Sequence, residues 1–201
     1  MQIVRSVVAL LLLHGTVVWA DVGMITQISD NVSITTAGRT QAAVVFYKVS
    51  AGDQLVLGNN SRVQVVYFGN GRQELWQGAG QVEVGSMESK STGKPQVTQL
   101  PPLVINQLAK TPAAGQTGKA GMVRMRSLAK PDATHLEKQY KELKASAAAD
   151  DTTPEVFLLS GLIEMRDYAR AKELLTEYSG KPMLKFVVDH FSPMVAEGAS
   201  R

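Results

Sequence analysis

Histidine is the residue type in this chain best suited to metal binding or proton transfer, and three histidines occur, at His14, His135 and His190. A zinc site needs further ligands at helical spacing, and no H-x-x-x-H pair is present. The chain has no cysteine, which excludes thiolate metal sites and disulfide bonds. His135 and His190 have polar neighbours in separate predicted helices, so we expect both at the solvated surface. No metal site, cofactor or catalytic residue is predicted.

Carboxylates and glycines offer three weaker candidate sites. Asp30 and Asn31 have oxygens suited to calcium, but the further oxygen ligands that calcium requires are not evident. Asp150 and Asp151 precede a predicted helix, where negative charge is favourable, so we expect a capping role. The run Gly115-Gln116-Thr117-Gly118-Lys119-Ala120 resembles a phosphate loop in part, but its last residue lacks the hydroxyl that holds magnesium. Because the G-x-S-x-G hydrolase motif is also missing, the sequence predicts a protein that is not an enzyme.

Three aromatic residues lie close together in the strand-rich region, at Tyr67, Phe68 and Trp76. If their rings were exposed on one face, they would form a platform for stacking against a sugar. Aromatic residues at strand spacing more often fill a core, and we expect that arrangement here. The glycan platform is kept as the alternative.

The first residues of the chain have the features of a secretory signal peptide. A single positive charge, Arg5, precedes an apolar run over residues 7–13, and Val18-Trp19-Ala20 suits signal peptidase. The apolar run is too short to cross a bilayer of about 30 Å. We therefore predict a leader over residues 1–20, cleaved after Ala20, and a periplasmic or secreted mature chain. No second long apolar run follows, so stable membrane insertion after cleavage is not expected. The formal net charge of +3 is too small to indicate nucleic-acid binding.

Residues 22–84 show the period-two alternation of half-buried strands. Within residues 63–68, for example, odd-numbered side chains fall on one face and even-numbered side chains on the other. The intervening Gly52-Asp53, Gly69-Asn70-Gly71 and Gly78-Ala79-Gly80 are suited to tight turns. Many short strands with frequent turns predict an antiparallel β-sandwich or roll, with one face of each strand on a core and the other toward water.

These strands resemble the centre of a FecR-like domain. The matching segments are Val49-Ser50-Ala51-Gly52-Asp53-Gln54-Leu55-Val56-Leu57-Gly58, then Ser61-Arg62-Val63-Gln64-Val65-Val66-Tyr67-Phe68, then Gly69-Asn70-Gly71. They have the family's Gly-Asp before a strand, a strand ending in Gly and a Ser-x-Val strand, with Asn-Gly where the hairpin usually has Asp-Gly. The resemblance covers about residues 22–90 and implies a β-sandwich-like envelope domain. Because the cytoplasmic segment and membrane helix of the sigma-factor regulators are missing, the chain resembles the secreted, free-standing members, whose implied work is binding.

The middle of the chain, about residues 88–120, is rich in small and polar residues and is predicted to be a flexible loop. Pro101-Pro102 is expected to prevent a regular helix there. The apolar cluster of Leu103-Val104-Ile105 and Leu108 is expected to dock on the sheet. Met122-Val123-Arg124-Met125-Arg126 then has the length of one returning strand, whose arginines suit a sheet edge or, as an alternative, a basic contact patch.

The remainder, residues 129–201, is predicted to be helical. The first helix begins at Asp132 or Thr134 and has an apolar stripe. That stripe comprises Leu136, Tyr140, Leu143 and Ala147. Thr153 and Pro154 suit the start of a second helix that runs to about Arg166. Asp167 is expected to cap a third helix, which ends at Gly180.

A fourth helix follows, with Leu184, Val187, Val188 and Phe191 as its apolar positions. The pair over residues 154–178 resembles one tetratricopeptide-type hairpin, since Asp167-Tyr168-x-x-Ala171 matches the tight turn and the small contact residue. Gly161 lies two residues later than the small residue of that family. One hairpin is too little for a solenoid, so a small helical bundle is predicted.

Together these features predict an α+β protein with a leader (1–20), a FecR-like β-domain (21–128) and a helical tetratricopeptide-like segment (129–201). The expected function is that of a periplasmic, non-enzymatic binding or adaptor protein of a Gram-negative bacterial envelope. Its expected partner is another envelope protein. The alternative is a module that binds envelope polysaccharide or peptidoglycan through Trp76 and its aromatic neighbours.

Overall fold

The computed structural model describes residues 20–115 and 133–200, which form a mixed α+β fold as predicted. The strands are β1 (Asp21–Ser29), β2 (Val32–Thr36), β3 (Arg39–Ala42), β4 (Lys48–Ser50), β5 (Gln54–Leu57), β6 (Arg62–Tyr67), β7 (Arg72–Gln77), β8 (Gly80–Glu83) and β9 (Gln96–Gln99). The helices are α1 (Pro102–Lys110), α2 (Ala133–Ser146), α3 (Thr153–Met165), α4 (Tyr168–Tyr178) and α5 (Lys185–Ala199). A 3₁₀ turn, Pro182–Leu184, leads directly into α5.

The strands form two antiparallel sheets. The central sheet has the order β4-β1-β6-β7-β9, and the outer sheet has the order β3-β2-β5-β8. In the central sheet Ile25 pairs with Val65, and Val63 pairs with Trp76, so these side chains share one face. The predicted turn at Gly69-Asn70-Gly71 joins β6 to β7, and Gly71 there has a positive φ of 72°. A side chain at that position would also collide with Ile105 at 2.2 Å.

Two hydrophobic cores lie on opposite faces of the central sheet. The first lies between the two sheets and includes Ile34, Leu55, Val65 and Tyr67. The second lies between the central sheet and the helices. Its buried members include Met24, Phe46, Val66, Val104, Leu108, Phe157, Leu159, Val187 and Phe191. The molecule therefore has three layers, in the order outer sheet, central sheet and helices.

Strand β6 shows how the sequence specifies this layering. Its odd-numbered side chains enter the core between the sheets, while Val66 joins the core beneath the helices. The predicted alternation is confirmed. The prediction that the second face meets water is wrong for this strand, because Gln64 and Val66 are both buried by the helical layer.

The prediction of a loop between the strands and the later helices is also wrong. The expected loop over residues 88–120 contains β9 and α1 in its described part. Pro101-Pro102 does not prevent the helix: Pro102 is the first residue of α1, a position where a missing N–H costs nothing and a fixed φ is favourable. Val104 and Leu108 of α1 are fully buried, as expected for docking on the sheet. The predicted strand at Met122-Val123-Arg124-Met125-Arg126 lies outside the described residues.

The helical layer follows the predicted order closely. Helix α3 is buried along ten consecutive residues, 153–162, and forms the centre of the layer. The N-cap of α3 is Thr152, one residue before the predicted Thr153. Asp167 caps α4 as predicted, because its Oδ1 accepts a hydrogen bond from the Arg170 N–H at 3.2 Å. A side chain at Gly161 would lie 2.4 Å from Leu136 of α2, so the glycine permits this close helix contact. Across the part of the chain that the structure describes, no helix combines the length and apolar character needed to span a membrane.

Candidate functional site

An open cleft lies where the β3–β4 connection faces α5. It is open to solvent over much of its surface and has a volume of about 540 Å³. The walls are mostly apolar, formed by Ile28, Val44, Val45, Phe46 and Phe186. Two polar residues of α5, Asp189 and His190, complete the lining. Both sheets and the last helix therefore contribute to the position of this cleft.

Phe46 forms the rigid wall of the cleft. Its φ of 67° is unusual for a bulky residue, yet its side chain is only 2% exposed. The Phe46 N–H donates to the Ile25 carbonyl at 2.8 Å, and the Phe46 carbonyl accepts from the Ala114 N–H at 3.0 Å. These bonds and the surrounding core hold a backbone conformation that is costly by itself. Such held strain is often found at functional sites.

His190 lies against Phe46. The two rings stack with centroids 4.0 Å apart and planes inclined by 23°, and the edge of Phe191 contacts His190 at 5.1 Å. Burial lowers the pKa of His190 from its ordinary value of 6.5 to about 4, although a hydrogen bond with the Pro112 carbonyl opposes this change. That carbonyl can only accept, so the bonded ring nitrogen carries the proton. The other nitrogen, Nε2, is buried without a hydrogen-bond partner among the described residues.

The buried histidine predicts a pH-dependent stability. Below pH 6.5 the unfolded chain binds a proton at His190, whereas the folded chain stays neutral there until the pH falls to about 4. Stability is therefore fully present above pH 6.5 and is lost as the pH falls toward 4, by at most about 3 kcal/mol. The free energy of unfolding from urea titrations at several pH values measures this loss.

The variant His190→Phe isolates the contribution of this residue, since it keeps a ring against Phe46. We expect the free energy of unfolding of this variant to vary less between pH 6.5 and pH 4 than that of the unchanged protein. The exposed His135 gives a matched control as His135→Gln. Equal slopes for the unchanged protein and His190→Phe would contradict the assignment.

The mouth of the cleft is apolar and open. Val44 is 46% exposed there. Asp189 forms an exposed ion pair with Lys185 at 2.5 Å. Within residues 20–115 and 133–200, no group of three or more His, Asp or Glu side chains is arranged to hold a metal ion. The cleft is thus suited to bind an apolar side chain.

The two histidines predicted to lie at the surface differ in exposure. His135 is exposed on α2, as expected. The prediction for His190 is wrong, since its side chain is 8% exposed and lines the cleft. Its polar sequence neighbours gave no sign of burial, because the stacking partner Phe46 comes from a distant turn. His14 lies outside the described residues.

The aromatic residues proposed as a sugar platform are not brought together on a surface. Tyr67 is fully buried and Trp76 is 5% exposed, both in the core between the sheets. Phe68 packs against the other core, beneath the helices. The Trp76 indole N–H donates to Glu74 Oε2 at 3.0 Å, so its polar atom is also occupied. The expectation of a core role is confirmed, and these rings offer no exposed stacking face.

The paired aspartates do more than cap a helix. Asp151 Oδ1 accepts from the Thr153 N–H at 2.9 Å at the start of α3, which confirms the capping role. The same side chain also accepts from the buried amides of Gln64 and Gln73 on the central sheet, at 2.9 and 3.0 Å. Asp150 instead forms an exposed ion pair with Arg62 at 3.0 Å. Sequence reasoning missed this link between the sheet and the helices.

The other candidates add little to the site. Asp30 and Asn31 are exposed at the β1–β2 turn, where Asp30 has a positive φ of 60°. Of the glycine-rich run over residues 115–120, only Gly115 belongs to the described residues.

No protein-family model matches the chain, and no curated protein or solved structure matches it.

Proposed function

We propose that this protein is a non-enzymatic binding or adaptor protein of the bacterial envelope, which acts through protein–protein contacts at the Phe46–His190 cleft. The observation that carries the proposal is the cleft itself: an open apolar recess with an exposed valine at its mouth and a strained, fully packed phenylalanine as its wall. Filling the recess with an apolar side chain removes the exposed surface of Val44 from water, since Phe46 is already buried. Burial of one such side chain contributes about 1.5–3 kcal/mol.

The rigidity of the cleft supports a binding role. Phe46 is fixed by two backbone hydrogen bonds and by stacking against His190, so the wall is formed before a partner arrives. A preformed surface loses little conformational entropy on binding, which raises affinity for a given contact area. An adaptor that presents one anchor site on a rigid sandwich fits this arrangement.

The proposed location follows from sequence features. Residues 1–20 have the charge, apolar run and small residues of a cleavable leader, and the turn pattern around Gly52-Asp53 and Gly69-Asn70-Gly71 resembles FecR-like envelope domains. Gly52 has a positive φ of 94°, a conformation that glycine adopts readily, in the turn before β5. These features support the proposal that the mature protein is periplasmic.

Two exposed valines make a matched test of the cleft. Val44 at the cleft and Val56 on the outer face of β5 are each 46% exposed. A photo-crosslinking amino acid is introduced at position 44 or 56 of the tagged protein, and intact cells are irradiated. We expect one dominant protein adduct from position 44 and none from position 56. In co-purification, Val44→Asp should lose that protein by about tenfold or more, whereas Val56→Asp should retain it.

Two outcomes would contradict the proposal. Equal adducts from both positions would show that the cleft has no special role. Enrichment of cell-wall fragments without a dominant protein would favour the polysaccharide or peptidoglycan alternative. Thermal unfolding of both aspartate variants is the control for folding, and both are expected to melt close to the unchanged protein because the side chains are partly exposed.

A further inference from the structure

The edge of the outer sheet beside the cleft has backbone groups that no other described residue pairs with. Strand β3 lies at the end of the order β3-β2-β5-β8, so among the described residues no strand pairs with its second side. All four of its residues are exposed. A free edge of this kind is a template onto which another extended chain can add.

The hairpin geometry shows which backbone groups are free. Ala37 and Gly38 join β2 to β3 with φ values of 49° and 77°, the pattern of a two-residue turn with both central residues left-handed. The residues that flank such a turn, Thr36 and Arg39, form a hydrogen-bonded pair, and bonded and non-bonded pairs then alternate along the ladder.

Because of this alternation, the backbone N–H and C=O groups of every second residue of β3 point away from β2. Gln41 is the next bonded residue after Arg39, and the Ala43 N–H donates to the Val32 carbonyl at 2.9 Å, which continues the series. The N–H and C=O groups of Thr40 and Ala42 therefore point away from β2. The backbone bonds found in the described part give neither of these residues a partner on that side.

This free edge runs directly into the cleft. Val44 follows Ala42 by two residues, so an added strand that pairs with Thr40 and Ala42 continues past the mouth of the cleft. A strand presents alternate side chains on one face, so one of its apolar side chains can enter the recess beside the exposed Val44. At the other end of β3, Arg39 is exposed and has no ion pair within the described residues. A carboxylate on the added strand would complement this charge.

We infer that the partner contributes an extended segment that adds to β3 as a further strand, with an acidic residue near Arg39 and an apolar side chain in the Phe46–His190 cleft. This inference rests on the proposed function, because it specifies how a protein partner occupies the same site. Main-chain hydrogen bonds to Thr40 and Ala42 supply affinity, and the cleft and Arg39 set the register.

A series of peptides, each methylated at a different backbone amide, tests the inference. Twelve-residue peptides are selected from a random phage-displayed library on the full protein, and the tightest is resynthesised with one backbone amide N-methylated at a time. We expect a period of two: methylation of amides that face β3 weakens binding by about tenfold each, and methylation of the intervening amides changes it little. The selected peptides should contain an acidic residue several positions from an apolar one.

Variants of the protein provide a second, independent readout by titration calorimetry. Proline is tolerated at sheet edges where its missing N–H faces outward, so Ala42→Pro should fold and lose peptide binding by about tenfold. Arg39→Glu should weaken binding of the acidic peptide, and the remote Val56→Asp should not. A methylation profile without a period, or full binding by Ala42→Pro, would overturn strand addition even if crosslinking at position 44 succeeds. Sedimentation of the free protein as a dimer that the peptide disperses would instead assign the edge to a second copy of the chain.

Discussion

Replacing Glu74 by alanine is expected to lower the free energy of unfolding by about 3 kcal/mol or more. Glu74 is fully buried in β7, and its carboxylate accepts from the Arg72 Nε–H at 2.6 Å and from the Trp76 indole N–H at 3.0 Å. The Ser89 N–H donates to the same group at 3.3 Å. The variant would leave the buried indole N–H and the Ser89 N–H without this acceptor, while Arg72, whose side chain is 27% exposed, would keep only its 3.8 Å pair with Glu88. Urea titration followed by tryptophan fluorescence measures the loss and also reports on Trp76.

The variant Glu74→Gln is the matched comparison for this prediction. It keeps an acceptor oxygen for the indole or the backbone N–H but removes the charge that pairs with Arg72. We expect it to lose less stability than Glu74→Ala. If Glu74→Ala unfolds at the urea concentration of the unchanged protein, the buried carboxylate contributes no net stability and the prediction fails.

Replacing Asp151 by alanine is expected to cost about 3 kcal/mol, whereas the same change at its neighbour Asp150 should cost less than about 1 kcal/mol. Asp151 is 7% exposed and accepts from two glutamine amides of the central sheet as well as from the Thr153 N–H. Its loss would leave the Gln73 amide and the Thr153 N–H without this acceptor inside the molecule, whereas the Gln64 amide would keep the hydroxyls of Thr26 and Thr153 as acceptors. Asp150 pairs with Arg62 in solvent, where water replaces the partner readily.

The two aspartates can be compared directly by thermal and urea unfolding, since they are adjacent and chemically identical. A large difference in the free energy of unfolding between Asp151→Ala and Asp150→Ala would confirm that burial and hydrogen bonding decide the effect. Similar losses in both variants would show instead that the charge at the start of α3 is the main contribution.

Local patterns in the sequence predict much of this fold because they arise from neighbouring residues. The alternation in residues 63–68 sets the two faces of β6, and Asp167 caps α4 three residues before the N–H it binds. The prediction for Pro102 is wrong because proline, which breaks a helix interior, is favourable at the start of a helix.

The candidate site depends on contacts that no local pattern reveals. Gln64 and Gln73 lie 87 and 78 residues before Asp151 in the chain, so a capping motif at Asp151 is visible and its sheet partners are not. His190 is similar: its helix and neighbours are typical of a surface position, and burial follows from stacking against Phe46. One local signal was the Ala-Ala-Val-Val-Phe run over residues 42–46, whose unbroken apolar character departs from the period-two alternation around it.

The position of the central sheet between two layers has a consequence for how the protein is made. Met24, Phe46 and Val66 belong to strands and turns near the start of the chain, while α3 and α5, which cover them, come last. Synthesis delivers the N-terminal part first, so this apolar sheet face stays uncovered until the final helices emerge. Removal of α5 from the C-terminus should therefore affect strands far ahead of it, through aggregation of the open face. The central sheet and the helices described here therefore depend on each other for the burial of this apolar face.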